Sequence, residues 1–280
     1  MTSSWMLVAG FFVAGASVFV KLGAQDFGAA ELAFYRSAFT LLGTIGVVRA
    51  RRGSVVTPHF GMHLLRGIFG ATSLIGYFYA ITLLPLATAI TLNYTAPLFL
   101  AITTTVVLRE RFSPWLVVAV VLGFGGVLML LQPNFAEGNQ AGAVIGLASG
   151  IIASWAYLSI RTMGRLGEPD WRIVFWFSAI SVMLCGAWQL GVGGFHAVTA
   201  KNWWILAGLG ACGFFAQMAM TRAYRLGNAL VAGALSYSTI VFGTFATLFL
   251  WNERLAWLEW TGIAVIVTAG LLALRAERRR

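Results

Sequence analysis

Apolar runs of about 18 to 23 residues, the length that crosses a ~30 Å hydrocarbon core as a helix, alternate along the chain with short polar connections. In the first half they read as Trp5–Leu22, Ala30–Val48, Phe60–Leu83, Leu86–Leu108 and Ser113–Gln132. In the second half they read as Ala141–Ile160, Trp171–Gly191, Trp203–Tyr224, Ala229–Leu250 and Ala256–Leu274. Membrane barrel strands would be half as long and would alternate apolar with polar residues, so the pattern predicts ten transmembrane helices. The connections are too short to house a soluble domain.

The pattern also repeats. Displaced by 143 positions, Arg66 to Gln132 lie over Leu209 to Arg275 without a gap. Gly67 then meets Gly210, Gly70 meets Gly213, Leu92 meets Leu235 and Tyr94 meets Tyr237, while Glu110-Arg111 meets Glu253-Arg254. Apolar helices match at Ala and Leu by chance, but hardly at a Tyr and a Glu-Arg pair in one register. Residues 1–137 and 138–280 are therefore expected to be two five-helix repeats, the second inserted upside down because five is odd. The expected fold is an all-α integral membrane protein, and inverted repeats around a midplane site are characteristic of secondary transporters.

Composition agrees. Hydrophobic residues make up 59% of the chain and charged ones 10%, with a mean hydropathy of +0.84; a soluble domain carries roughly 25% charge. The net charge of +10 does not point to nucleic acid once its distribution is considered. With a cytoplasmic N-terminus, fifteen arginines fall on inner connections, Arg66, Arg161, Arg222 and Arg225 among them, against Lys21, Lys201 and Arg254 outside. That bias places both termini in the cytoplasm of a multi-pass protein of a bacterial-type cytoplasmic (inner) membrane, with lipids as partners of the basic residues. The first run has no basic leader and no small-residue cleavage site, and is expected to be a retained helix. Cys185 and Cys212 fall inside spans, where free thiols pack as small apolar groups.

Chemistry for an enzyme is missing. There is no metalloprotease motif, no nucleophile turn and no Walker loop, so neither catalytic residues, a bound metal nor a cofactor is expected. His59 and His63 share a helix face with no carboxylate close in sequence, and read as interfacial. His196 stands alone in an outer loop. The nine acidic residues fall at or beyond span ends, which favours gradient-driven exchange or export over proton coupling; Glu31 is the best remaining proton site. Arg36 is the one charge within a span, and either snorkels outward beside Glu31 or lines an aqueous path.

Mid-span polar and aromatic groups outline a candidate cavity. Tyr77 and Ser73 share a face of the third span, Asn93 and Tyr94 lie midway along the fourth, and Ser236 and Tyr237 are their repeat equivalents. Trp155 and Ser159 come from the sixth span and Gln217 from the eighth. Substrate contacts are assigned to Tyr77, Asn93, Tyr94, Trp155, Gln217 and Tyr237, with Arg36, Ser73, Ser159 and Ser236 as secondary candidates. Gly123, Gly125 and Gly126 on the fifth span and Gly262 and Gly270 on the tenth permit close helix contact, for a scaffold or a dimer. Either a monomer or a homodimer is compatible with this.

Arg36, Pro97 midway along the fourth span, Glu110 and Glu253 closing the fourth and ninth, and the Gly-rich fifth give the chain its resemblance to EamA-type members of the drug/metabolite transporter superfamily. That resemblance implies alternating-access transport of small molecules: export of aromatic or neutral amino acids and related metabolites, or uptake of a nucleoside-like compound, a vitamin or a drug. A membrane enzyme or a structural subunit is the alternative class, disfavoured by the missing reactive constellation. The aromatic cavity is similar to that of the superfamily's aromatic amino-acid exporters. Ile240 stands where Pro97 has its counterpart, so the ninth span is expected to hinge differently from the fourth.

Overall fold

A computed structural model describes residues 2–109, 113–134, 140–251 and 255–278, and these residues form helices and turns with no strand. The domain boundary at 137/138 and the residues Glu110, Arg111, Glu137, Glu253, Arg254, Arg279 and Arg280 lie outside the described residues. The helices are α1 (Trp5–Gly23), α2 (Ala29–Ala50), α3 (Phe60–Leu83), α4 (Leu86–Asn93), α5 (Ala96–Leu108), α6 (Pro114–Leu131), α7 (Gln140–Arg165), α8 (Asp170–Val192), α9 (Trp203–Leu226), α10 (Ala229–Ser236), α11 (Ser238–Trp251) and α12 (Trp257–Arg278). The α4–α5 and α10–α11 pairs are each one broken span. Among the described residues nine spans are long and apolar enough to cross a membrane. The tenth, α2, has the length at 22 residues, but Glu31, Arg36 and Arg49 lower its hydropathy.

The repeat governs the packing. α3 lies against α7 as α9 lies against α1, and α2 meets α9 as α8 meets α3. Two contacts relate equivalent helices to each other: α2 with α8, and α6 with α12. The last of these depends on missing side chains. A Cβ at Gly126 would come within 2.9 Å of the Gly262 carbonyl oxygen, and one at Gly262 within 2.8 Å of the Gly126 oxygen. The glycine stripe is thus occupied by a scaffold contact within one chain, while Gly125 faces open space.

Both broken spans part at the same repeat position, although Ile240 stands where Pro97 has its counterpart. Pro97 enters α5 in its first turn, a position it tolerates. What the two breaks share is a hydroxyl. Thr95 Oγ1 donates to the Leu92 carbonyl at 2.6 Å, and its equivalent Ser238 Oγ donates to the Leu235 carbonyl, also at 2.6 Å. Such local bonds offer the carbonyl a partner outside the helical ladder, so the interruption at Tyr94 and Tyr237 survives without a second proline.

The termini share one face. Ser3 Oγ bonds to Glu277, and Thr2 Oγ1 donates to the Leu226 carbonyl at 3.1 Å. Reporter fusions after Arg52 and after Lys201 are expected to report opposite sides of the membrane; the same side from both would refute the inverted arrangement.

Candidate functional site

The two breaks face each other. The rings of Tyr94 and Tyr237 lie 6.3 Å apart, and Phe124 on α6 adds a third ring 6.4 Å from Tyr237. Tyr237 is fully buried, its hydroxyl has no hydrogen-bond partner among the described residues, and Gly123 makes the room it occupies. Nearer one end, Tyr157 on α7 and Tyr224 on α9 stack at 4.7 Å with planes 14° apart. Tyr157 and Tyr224 pack in one buried cluster, and Tyr94 and Tyr237 in a second.

Two arginines border the Tyr157–Tyr224 pair. Arg66, counted above among the inner connections, is 2% exposed inside α3, with its guanidinium carbon 4.1 Å from the Phe177 ring centroid. Arg36 on α2 is partly accessible and packs against Gly213 of α9. Sequence reading missed Arg66, Tyr157 and Tyr224. For Arg66 the signal was available, since it lies six residues inside a span whose start at Phe60 is the same in sequence and structure.

The other predicted residues scatter. Tyr77 packs with Ala80, Leu84 and Ala89 between α3 and α4. Asn93 Nδ2 donates to Ser149 Oγ at 3.1 Å, and Ser73 Oγ to the Ser149 carbonyl at 2.9 Å, so both tie their helices to α7. Ser159 and Ser236 return their hydroxyls to the carbonyls of Trp155 and Gly233. Gln217 is buried, with Nε2 3.4 Å from Thr221 Oγ1 one turn on. Trp155 is 39% exposed on the same helix face as Val144 and Leu147, beside Phe69 and away from the tyrosine clusters.

Polar clusters close the two ends. At the face holding the termini, Glu168 takes bonds from Thr57, His59 (3.2 Å) and Arg172 (2.9 Å), and His63 Nε2 lies 3.5 Å away. The two histidines therefore have the carboxylate partner that sequence spacing failed to reveal. Burial would raise the Glu168 carboxyl, but the bonds from Thr57, Arg172 and His59 and the Arg172 charge outweigh it and hold it at about 2. Arg225 pairs with Asp170 and donates to the Glu168 carbonyl at 3.1 Å, adding α9 to the knot. At the opposite face the buried Glu31 accepts from the His196 backbone N–H at 2.8 Å and lies 2.7 Å from its Nδ1, so His196 is not alone. A cavity of about 460 Å³ opens beside this pair, between Gly28, Tyr79, Trp188 and Gln189.

Ten spans in two interlocked repeats, with both broken helices meeting at mid-membrane, define a membrane transporter. The chain belongs to the EamA-like transporter family, which matches residues 1–132 and 140–275. It is 30% identical to the pseudopaline exporter CntI of Pseudomonas aeruginosa over 96% of this chain and 92% of that one. It is 23% identical to a riboflavin transporter of Brucella anthropi over 88% of each. A solved crystal structure at 20% identity shares the fold, with a TM-score of 0.80 over 100% of this chain and 99% of the other.

Proposed function

We propose that the protein exports small amino-acid-type metabolites across a bacterial-type cytoplasmic membrane by alternating access, with both termini on the cytoplasmic side. The observation that carries this reading is the pair of broken helices whose tyrosines, Tyr94 and Tyr237, face each other at 6.3 Å. A helix broken at midplane can bend there, and rings on both sides of the break can release a bound solute alternately to either face. The likeness to an exporter over nearly the whole chain supports the direction. Stacking would hold the apolar part of the solute, while phenolic hydroxyls meet its polar groups where unmet ones cost several kcal/mol. Of the residues first assigned, Tyr94 and Tyr237 stay at the centre of this proposal; Asn93, Gln217, Ser73, Ser159 and Ser236 support helices around it.

A second reading is uptake of a planar heterocycle, favoured by the stacked Tyr157–Tyr224 pair and the riboflavin-transporting relative. Counterflow in liposomes separates the two: labelled amino acids exchange under the first reading, riboflavin under the second. Tyr94→Ala is expected to raise the half-saturation concentration roughly 5- to 150-fold, from losing ~1–3 kcal/mol of aromatic contact, with membrane insertion intact. Wild-type kinetics in that variant would remove Tyr94 from the site.

A further inference from the structure

We propose that Arg36 and Arg66 together form an anion-binding pole of the transport site, and that the solute carried bears at least one carboxylate. This deepens the export reading and rests on it for the location of the site.

A charged arginine within a span is costly, so it persists where it pairs with an acid or lines a solute path. Here the buried acids among the described residues are taken. Glu31 is bonded to His196, Glu168 to Thr57, His59 and Arg172, and Asp170 to Arg225. Neither Arg36 nor Arg66 has a carboxylate within 4 Å among the described residues, and the buried Arg66 Nε has no hydrogen-bond partner there. Among the described residues the Arg66 guanidinium lies against the Phe177 ring, which satisfies none of its N–H groups.

The fold makes space for both side chains by one device. Gly70 and Gly213 are equivalent in the repeat. A methyl group at Gly70 would overlap Arg66 Nη1, and one at Gly213 would come within 2.8 Å of Arg36 Cγ. Each copy of the repeat thus gives up a side chain where a guanidinium lies. The two cations are also in electrostatic reach of each other and of Tyr157. Like charges in reach of each other in a low dielectric repel, and an anion beside them converts that repulsion into binding. A carboxylate suits the guanidinium fork, which it engages with two parallel bonds. The stacked Tyr157 and Tyr224 beside it offer an apolar wall, which selects an organic acid over a free inorganic anion.

The test compares matched solutes on the full-length protein in liposomes. Labelled phenylalanine is set against phenylalanine amide and phenethylamine, which keep the ring and lose the carboxylate. Counterflow is expected for the acid, with the amide and amine carried ~10-fold less well or worse. Equal transport of all three would overturn the proposal without any variant being made. Arg66→Gln and Arg36→Gln are each expected to raise half-saturation for the acid at least ~10-fold, with the lysine variants in between because they keep the charge and lose the fork. Unchanged kinetics in both glutamine variants would also overturn it. If wild-type protein moves none of the three, the export reading fails, and the arginine pole is read separately from thermal stabilisation in detergent by phenylalanine, glutamate and citrate. Stabilisation by any of these that disappears in both glutamine variants upholds the pole. Stabilisation by none, or equally by phosphate and sulfate, refutes a carboxylate site.

Discussion

Removing the Glu168 carboxylate is expected to lower stability by about 2–4 kcal/mol, below the most that breaking a fully buried pair costs because Arg172 is 19% exposed. Three elements depend on that one group: the connection carrying Thr57 and His59, the start of α3 at His63, and α8 at Arg172. Thermal melting of Glu168→Ala in detergent at pH 7 measures the loss; melting like the wild type would mean the cluster merely decorates a surface. The pH dependence has a definite sign. Because the folded carboxyl is held at about 2, below its ordinary 4.5, its contribution is complete above the higher value and disappears as pH falls through the lower. Melting between pH 5 and 8 should therefore be insensitive to this group. Glu168→Gln should flatten the acid limb of the profile between about 4.5 and about 2.

Gly150→Val is expected to abolish counterflow. Gly150 of α7 lies against the break between α4 and α5, and a Cβ there would meet Thr95 Oγ1 at 2.5 Å, the Leu92 oxygen at 2.8 Å and the Asn93 oxygen at 3.1 Å. Two of those three atoms are backbone, which cannot turn aside, so the overlap would displace the break itself at a cost of ~1–3 kcal/mol or more. The control is Gly125→Val on α6, where an added Cβ meets nothing within 4 Å and transport should stay at the wild-type rate. Full transport by Gly150→Val would show that the break tolerates displacement and does not govern the transport cycle.

The spans were legible because lipid imposes one rule on every residue of a crossing: Phe60–Leu83 coincides with α3 at both ends, and most other ends differ by a few residues. The exception is instructive. Ala141–Ile160 extends to Arg165 in α7, since a charged turn past the apolar core stays helical while it pairs with its surroundings. The midplane breaks were half legible. Proline announces the one at Tyr94, but a hydroxyl bonding three residues back, as Ser238 does within Ala229–Leu250, leaves no composition signal. The site was the least legible part. Periodicity finds polar side chains facing inward, yet it cannot tell a group that awaits a solute from one already satisfied, as Asn93 is by Ser149. Nor does spacing bring together His196 and Glu31, which lie 165 residues apart.

The polarity of α2 bears on how the protein is made. A helix carrying Arg36, Glu31 and Arg49 gains little by entering lipid alone, since an arginine near the centre forfeits ~2.5–3.5 kcal/mol of insertion free energy. Its polar face is covered chiefly by α8 and α9, which the ribosome synthesises more than a hundred residues later. The first half alone thus lacks the cover that α8 and α9 of the second half give to α2. The two halves are therefore expected to fold as one unit, because the helix that breaks the hydropathy rule belongs to one and its shelter to the other.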